Sequence, residues 1–327
     1  MAGQPAPGRP THGRPPSTRR ERTIAEAGVL LVVVVWAANF IVVKSANREI
    51  PPVAFALIRF TLASAVLLTV LRIREGSIWL PRRDAYLVLG LGALSFGVYQ
   101  IAWSTSLQWI PAGDSALLVA ATPVLTALLA VVAGSDVLTR VKIAGGLLSF
   151  AGVAIVVAAG PGLGLGQGAG LVLLGDLLTL GAAVLWAIYV SFGAPILRRH
   201  SPVRTSAWAM VGGCLVLFVP GLWQASTTRW GAVDGTAWAG LLYSALLAAG
   251  LANVLVFNAI RLLGPTRVTA FQFLVPFIAV ILGALLLGEA VRPEQVAGGI
   301  VIVLGVMLTR GGERLDIAGW VRDRMPA

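Results

Sequence analysis

Residues 144–153 read AGGLLSFAGV, and residues 297–306 read AGGIVIVLGV. The two stretches align without a gap when residue 144 is laid on residue 297. The same register pairs a proline with a proline and an acid with an acid, namely Pro123 with Pro276 and Asp136 with Glu289. Matches of glycine and alanine alone are common between apolar helices, so the paired prolines and acids favour a true internal repeat over a likeness of composition.

A second register relates the first parts of the two copies, because laying Trp36 on Trp186 also lays Pro52 on Pro202. Together the registers predict two copies of one unit, at 24–160 and 171–310. The glycine-rich stretch 161–170 between them is interpreted as a flexible linker, since it lacks the spacing of a phosphate-binding loop and no strand precedes it. The flanking segments, 1–23 and 311–327, are interpreted as a disordered basic tail and a C-terminal tail, both cytoplasmic.

The composition predicts a lipid environment. Apolar residues make up 57% of the chain and charged residues 12%, which is too little charge for a soluble domain. A helix needs about 20 mostly apolar residues to cross the hydrocarbon core. Runs of this kind lie at 25–44, 53–73, 85–106, 113–133, 141–159, 171–197, 205–224, 237–260, 267–288 and 294–309. The expected fold class is therefore an all-α polytopic membrane protein with ten transmembrane helices.

The positive charges indicate the orientation. Most of the 25 Lys and Arg residues lie in the N-terminal tail, in alternate loops and after the last span, so these segments are predicted to face the cytoplasm. Both termini then lie inside an inner (cytoplasmic) membrane, which requires an even number of spans. Because the basic residues are spread between apolar runs, nucleic acid is not expected as a partner. The expected partners are the bilayer and a small-molecule substrate, and the sequence leaves a homodimer open.

Each copy holds an odd number of spans, so the second copy enters the membrane from the opposite face and the repeat is inverted. Two inverted five-helix repeats can adopt each other's conformations, which exposes one midplane site to each compartment in turn. The glycines Gly145, Gly152, Gly298 and Gly305 lie two turns apart within each copy. They are expected to permit close helix contact and not to form a site.

Catalytic and metal chemistry are not supported by the residues present. The single cysteine, Cys214, lies in an apolar run, and the two histidines, His12 and His200, lie in polar segments. No catalytic residue, metal site or cofactor is therefore predicted. The sequence contains no G-x-x-x-x-G-K-[ST], H-E-x-x-H or G-x-S-x-G motif. The favoured function is a secondary carrier that does not hydrolyse ATP, with a channel-like facilitator and a membrane-embedded enzyme as alternatives.

Several residues match the pattern of a known family. They are residues 36–40 (WAANF), Pro52, Arg59-Phe60 and Pro123 in the first half, and Trp186, Pro276, Gly288-Glu289, Gly298-Gly299 and Gly305 in the second. Together they resemble the EamA-type members of the drug/metabolite transporter superfamily, and the resemblance covers nearly the whole chain. Ala37 and Ser135-Asp136 depart from the family pattern. The resemblance implies a carrier, often an exporter of amino acids, other metabolites or toxic compounds, with a central cavity between the halves.

Polar and aromatic side chains within the spans are candidates to line that cavity. They are Trp36, Asn39, Tyr99, Gln100, Trp103, Trp186, Tyr189, Asn253, Asn258 and Gln272. Aromatic faces would contact the apolar part of a substrate, and the polar groups would orient it. Helix packing or placement at the membrane interface explains the aromatic residues equally well. The two asparagines of the eighth span lie about 140° apart around a helix, so at most one of them is expected to face the cavity.

Three charged residues are candidates for coupling or gating. For Arg59, a structural ion pair or an outward-reaching side chain is preferred over binding of an anionic substrate group. Asp176 lies among apolar neighbours and is a candidate proton carrier, although helix capping or an ion pair explains it equally well. Glu289 is interpreted as the acid of an end-of-span turn, with gating as the alternative.

Overall fold

The computed structural model describes residues 19–132, 139–159, 168–263, 268 and 271–322. Within these ranges the chain is helical and contains no strand, which confirms the predicted all-α class. Residues 1–18, most of the predicted linker and the Ser135-Asp136 turn lie outside the described residues.

The helices follow one another along the chain with short connections. They are α1 (Arg19–Ala46), α2 (Pro52–Glu75), α3 (Arg82–Gly92), α4 (Tyr99–Ser106), α5 (Ala112–Val119), α6 (Thr122–Val132), α7 (Arg140–Ala159), α8 (Ala169–Arg199), α9 (Pro202–Thr227), α10 (Gly235–Tyr243), α11 (Ala252–Leu263), α12 (Leu274–Leu287) and α13 (Pro293–Arg322). A single 3₁₀ turn, Trp230–Ala232, precedes α10.

Two of the connections are π-helical. Ala93–Val98 joins α3 to α4, and Ser244–Leu251 joins α10 to α11. A π turn widens the helix and shifts its hydrogen-bond ladder without ending it. Each pair of α-helices therefore forms one continuous helical stretch, over Arg82–Ser106 and from Gly235 onward.

Eight helical stretches of the described residues are long and apolar enough to cross a membrane. They are Arg20–Ala46, Pro52–Glu75, Arg82–Ser106, Ala112–Leu129, Arg140–Ala159, Ala169–Gly193, Pro202–Thr227 and Gly235–Val256. Two shorter apolar helices, Leu274–Leu287 and Pro293–Thr309, follow them. The chain thus has the character of a multi-pass membrane protein, and the count of ten crossings stays a prediction.

Prolines and glycines explain where several helices begin, end or break. Pro52 and Pro202 each stand in the first turn of a helix, where the missing N–H has no intrahelical partner to lose. Gly288 ends α12 with a φ of 67°, a conformation that an L side chain rarely adopts. Inside the fourth predicted span, a turn separates α5 from α6 just before Pro123, because proline cannot continue the backbone ladder.

The glycine-rich helices α7 and α13 pack closely side by side. A β-carbon added at Gly145 would lie 2.6 Å from the carbonyl oxygen of Gly305, and one added at Gly152 would lie 2.7 Å from that of Gly298. Such distances leave no room for any side chain, so the backbones are in direct contact. The prediction that these glycines permit close helix packing is confirmed.

The first helix of each half packs mainly against the other half. α1 contacts α10, α11 and α12, whereas α8 contacts α3, α4, α5 and α6. Buried apolar side chains, among them Phe55, Phe60, Met210 and Leu217, fill the space between the helices. The halves are therefore interleaved, and a central space remains where they meet.

Candidate functional site

A cavity of about 350 Å³ lies in this central space. The described residues that line it are mostly apolar or aromatic, and none of them carries a carboxylate. The predicted cavity residues found in its wall are Trp36, Asn39, Tyr99, Gln100, Trp103, Trp186, Asn253 and Gln272. A volume of this size is typical of sites for small organic molecules.

Two of the predicted cavity residues lie elsewhere. Tyr189 is buried and packs behind the wall, with its ring centroid 5.4 Å from those of Phe96 and Trp186. Asn258 is exposed and is absent from the described lining residues. Asn253 does line the cavity, and its Nδ2 donates to the carbonyl oxygen of Ala249 at 2.8 Å. This arrangement agrees with the angular argument that at most one of the two asparagines faces inward.

Aromatic rings form a continuous part of the wall. Tyr99 stacks on Trp103 with ring centroids 6.2 Å apart, and it lies 6.0 Å from Trp186. Phe96 meets Phe60 edge to face at 5.4 Å. Sequence reasoning missed Phe40, Phe60 and Phe96, because a phenylalanine that lines a cavity has the same sequence signal as one that faces lipid. Only their proximity in sequence to Asn39, Arg59 and Tyr99 could have indicated them.

Residues in and beside the second π segment, Ser244–Leu251, form hydrogen bonds with α1. Trp36 donates from Nε1 to the carbonyl oxygen of Ala248 at 3.1 Å, and Ser244 donates from Oγ to Oδ1 of Asn39 at 2.6 Å. Tyr243 donates from its hydroxyl to the carbonyl oxygen of Val35 at 2.9 Å. These bonds fix the orientation of the two α1 side chains that line the cavity.

Helix breaks from both halves border the cavity. Ala120 and Pro123 lie at the break between α5 and α6, and Phe273 and Pro276 lie at the start of α12. All four residues line the cavity. Irregular backbone at membrane depth is tolerated where it borders a cavity instead of lipid, so the position of both breaks is consistent with a binding site.

Arg59 also lines the cavity, and the preferred interpretation of this residue is wrong. Its side chain is buried, with 6% of the residue exposed, which rules out an outward-reaching conformation. With the described residues it forms neither an ion pair nor a hydrogen bond, and its Nε is buried without a partner. Its guanidinium carbon lies 4.8 Å from the ring centroid of Phe60, a cation–π contact. The Phe60 ring thus compensates for only part of the hydration that the Arg59 guanidinium loses on burial.

Glu289 belongs to a polar cluster outside the cavity wall, which we call the Glu289 cluster: Lys44, Asp114, Glu289, Arg292 and Gln295. Lys44 donates from Nζ to Glu289 at 2.7 Å, and the first backbone N–H of α5 donates to the same carboxylate at 3.0 Å. Asp114 forms an ion pair with Arg292 and accepts from Nε2 of Gln295 at 2.7 Å. Residues from both halves meet here, so the cluster joins the halves at one end of the bundle.

A second set of ion pairs lies where the ends of α2, α3, α8 and α9 come together. Asp84 contacts Nε2 of His200 at 2.7 Å and Arg199 at 3.1 Å. Glu75 pairs with Arg204 at 3.0 Å. Sequence reasoning placed His200 in a basic loop and did not identify its partner, because Asp84 is distant in sequence.

Asp176 is buried, with 3% of the residue exposed. The capping interpretation is wrong, since α8 begins at Ala169 and Asp176 lies two turns inside it. Within the described ranges Asp176 makes no hydrogen bond or ion pair, although the charges of Asp114 and Arg292 act on it. The coupling role of Asp176 and the cavity roles of the lining residues stay predictions.

The profile of the EamA-like transporter family matches residues 23–158 and 173–311. The chain belongs to the EamA-like transporter family. The resemblance seen in the sequence is therefore confirmed over both copies. A solved crystal structure with 17% sequence identity has a TM-score of 0.62 and covers 90% of this chain and 99% of its own. That likeness shows a shared fold.

Two curated relatives carry functional names. One is the "Probable terminal-alkyne amino-acid exporter" of Streptantibioticus cattleyicolor, 29% identical over 86% of this chain and 91% of its own. The other is the "Probable amino-acid metabolite efflux pump" of Salmonella typhimurium, 30% identical over 88% of this chain and 94% of its own. This EamA family member is thus similar, over nearly its full length, to proteins named as transporters.

Proposed function

We propose that this EamA family member is a secondary carrier that exports a small metabolite across the cytoplasmic membrane by alternating access, with the central cavity as its binding site. The names of the relatives support transport of an amino acid or a related compound. The two copies, 24–160 and 171–310, form two inverted five-helix repeats with ten spans in total. The extents of the family match, 23–158 and 173–311, support these boundaries.

The contact between α7 and α13 is the observation that carries the proposal. In the repeat register, Gly145 corresponds to Gly298 and Gly152 to Gly305. The contact of Gly145 with Gly305 therefore becomes the contact of Gly152 with Gly298 when the copies are exchanged. A set of contacts that maps onto itself in this way is the mark of a twofold relation.

The direction of the two helices distinguishes between kinds of repeat. Ser149 donates from Oγ to the carbonyl oxygen of Ile302 at 3.1 Å, and these two residues also correspond in the repeat register. The two helices are antiparallel, because a later residue of α7 contacts an earlier residue of α13: Gly145 contacts Gly305, whereas Gly152 contacts Gly298. A twofold axis along the membrane normal would make repeat-related helices parallel. Because α7 and α13 are antiparallel, they support a twofold axis in the membrane plane and hence an inverted repeat.

Equivalent polar contacts support the same relation. Ser95 in the first π segment donates to the carbonyl oxygen of Leu185 at 3.1 Å. Tyr243, beside the second π segment, donates to the carbonyl oxygen of Val35 at 2.9 Å. Val35 and Leu185 correspond in the register that lays Trp36 on Trp186. The third and eighth spans thus each carry a π segment, and a hydroxyl group in or beside it donates to the corresponding carbonyl oxygen of the first helix of the other half.

The polar residues outside the cavity suggest how access is controlled. The Glu289 cluster joins the halves at the end that the charge distribution predicts to be extracellular, so we assign it the role of an outer gate. Asp176, buried and unpaired among the described residues, is the candidate for proton coupling. Both termini are assigned to the cytoplasm.

Flux into proteoliposomes tests the proposal. The purified protein is reconstituted, and uptake of amino acids, sugars and cationic drugs is measured with and without a pH gradient. We expect saturable uptake of at least one compound that accelerates when the same compound is present on the far side. Flux that fails to saturate and shows no such acceleration would indicate a channel-like facilitator and contradict the carrier mechanism. Asp176→Asn is expected to remove any dependence of uptake on the pH gradient while leaving exchange intact.

A further inference from the structure

Among the described residues, the cavity wall holds a buried cation that has no counterion. This cation is Arg59, which lines the cavity wall with only 6% of its surface exposed. An arginine stays charged in proteins. Burying such a charge without a paired and hydrogen-bonded partner is costly. The described lining residues include no aspartate or glutamate that could take this role.

The surroundings of Arg59 confirm that the chain itself supplies little compensation. On its own helix, the guanidinium carbon of Arg59 lies 4.8 Å from the centroid of the Phe60 ring. Among the described residues, the only titratable group that acts on it electrostatically is the phenol of Tyr99. Neither group is an anion at neutral pH. The missing counterion is therefore expected to come from the occupant of the cavity.

Two further polar atoms of the same wall lack partners. Nε1 of Trp103, a donor, and Oε1 of Gln100, an acceptor, are both buried without a hydrogen bond in the described structure. Both residues line the cavity with Arg59. Unpaired buried groups in a native site are normally satisfied by a ligand or by water. Donors outnumber acceptors in this unpaired set, which favours a ligand rich in acceptor oxygens.

We infer that the substrate is a small organic carboxylate with an aromatic or extended apolar body, and that Arg59 binds its carboxylate. Arg59 presents a guanidinium fork that matches the two oxygens of a carboxylate. The rings of Trp36, Tyr99, Trp103 and Trp186 provide the surface for the apolar body. This inference rests on the proposed carrier function, because it names the substrate class of that same cavity.

The test uses three ligands that share an indole ring and differ in charge: indole-3-acetate, its neutral amide indole-3-acetamide, and the cation tryptamine. Equilibrium binding of each to the full-length protein in detergent is measured by titration calorimetry. We expect the carboxylate to bind at least about tenfold more tightly than the amide and the cation, since a charge-assisted pair is stronger than a neutral one. Equal affinities, or no binding of the carboxylate, would overturn the inference on the unaltered protein.

Substitutions of Arg59 test whether this residue causes the preference for the carboxylate. Arg59→Gln is expected to lower affinity for indole-3-acetate by about tenfold or more and to bring the acid and the amide to the same affinity. Arg59→Lys should retain part of the preference, because it keeps the charge but loses the fork. Arg74→Gln, on the same helix but exposed, is the matched control and should bind like the unaltered chain. An unchanged preference in Arg59→Gln would refute the role of Arg59.

The outcomes for substrate class and for transport are separable. Preferential binding of the carboxylate without saturable flux in proteoliposomes would contradict the carrier proposal and leave the Arg59 site standing. Saturable exchange of tryptamine or the amide, with no preference for the acid, would contradict the Arg59 site and leave the carrier standing.

Discussion

Lys44 and Glu289 illustrate how single charges are handled in this bundle. Their side chains are only 19% and 14% exposed, and they meet at 2.7 Å. Each group has lost much of its hydration, so the pair contributes less to stability than its Coulombic attraction alone would give. Removal of one partner leaves the charge of the other uncompensated. The sequence identified Glu289 as an end-of-span acid but not its partner, because neither helical periodicity nor the repeat register indicates which side chains of different halves come into contact.

A double-mutant cycle tests this coupling. Lys44→Met and Glu289→Gln are each expected to lower the free energy of unfolding by about 1–3 kcal/mol. The double variant should lose clearly less than the sum of the two, since neither partner is then left alone. Thermal unfolding of the purified protein in detergent provides the measurement. Arg229→Gln, which removes an exposed basic residue, is the control, and strictly additive losses would contradict the coupling.

At the scale of helices, the glycine faces of α7 and α13 were the most predictable feature, although the sequence did not indicate that these two helices contact each other. The spacing of the four glycines indicated the contacting faces, and the structure brings those faces together. The two π segments, in contrast, could not be predicted. Ala93–Val98 and Ser244–Leu251 are ordinary apolar sequence, and the wider turn depends on contacts such as that of Ser95 with the distant α8.

Enlarging one glycine of this contact is expected to separate the helices. A β-carbon at Gly152 would lie 2.6 Å from the backbone nitrogen of Ile302, so Gly152→Val should cost about 1–3 kcal/mol or more. The yield of folded monodisperse protein in size-exclusion chromatography gives the readout. Gly181→Val is the matched control in α8, since a β-carbon there meets no atom within 4 Å. Similar yields for the two variants would show that the close contact is unimportant.

For the whole molecule, the sequence predicted the succession of apolar helices well and their ends less well. α1 begins at Arg19 instead of residue 25, and α13 continues to Arg322, past the predicted end at 309. Hydropathy reports the part of a helix that suits lipid, and a helix can continue into water beyond that part. The cavity wall was largely predicted from polar and aromatic spacing, whereas the isolation of Arg59 was not, since only the fold shows that the described residues lining the cavity with it include no acid.

The orientation of the whole bundle leads to a topology prediction. In a Cys214→Ala background, Ser226→Cys lies in the last turn of α9, at the end predicted outside, and Ser77→Cys lies in a loop predicted inside; both positions are exposed. We expect a membrane-impermeant maleimide to label Ser226→Cys in intact cells and Ser77→Cys only after permeabilisation. The reverse pattern would invert the assignment of the termini and of the Glu289 cluster.

The seam between α7 and α13 has a consequence for how the protein moves and how it can vary. In the proposed mechanism the two copies exchange conformations, and this exchange maps the seam between α7 and α13 onto itself, so the seam can stay packed while the cavity changes its opening. The close contact requires glycine at corresponding positions of both copies. The residues of the cavity wall can therefore differ between the two copies to suit a substrate. Along the seam, a larger side chain in one copy would require a compensating change in the other.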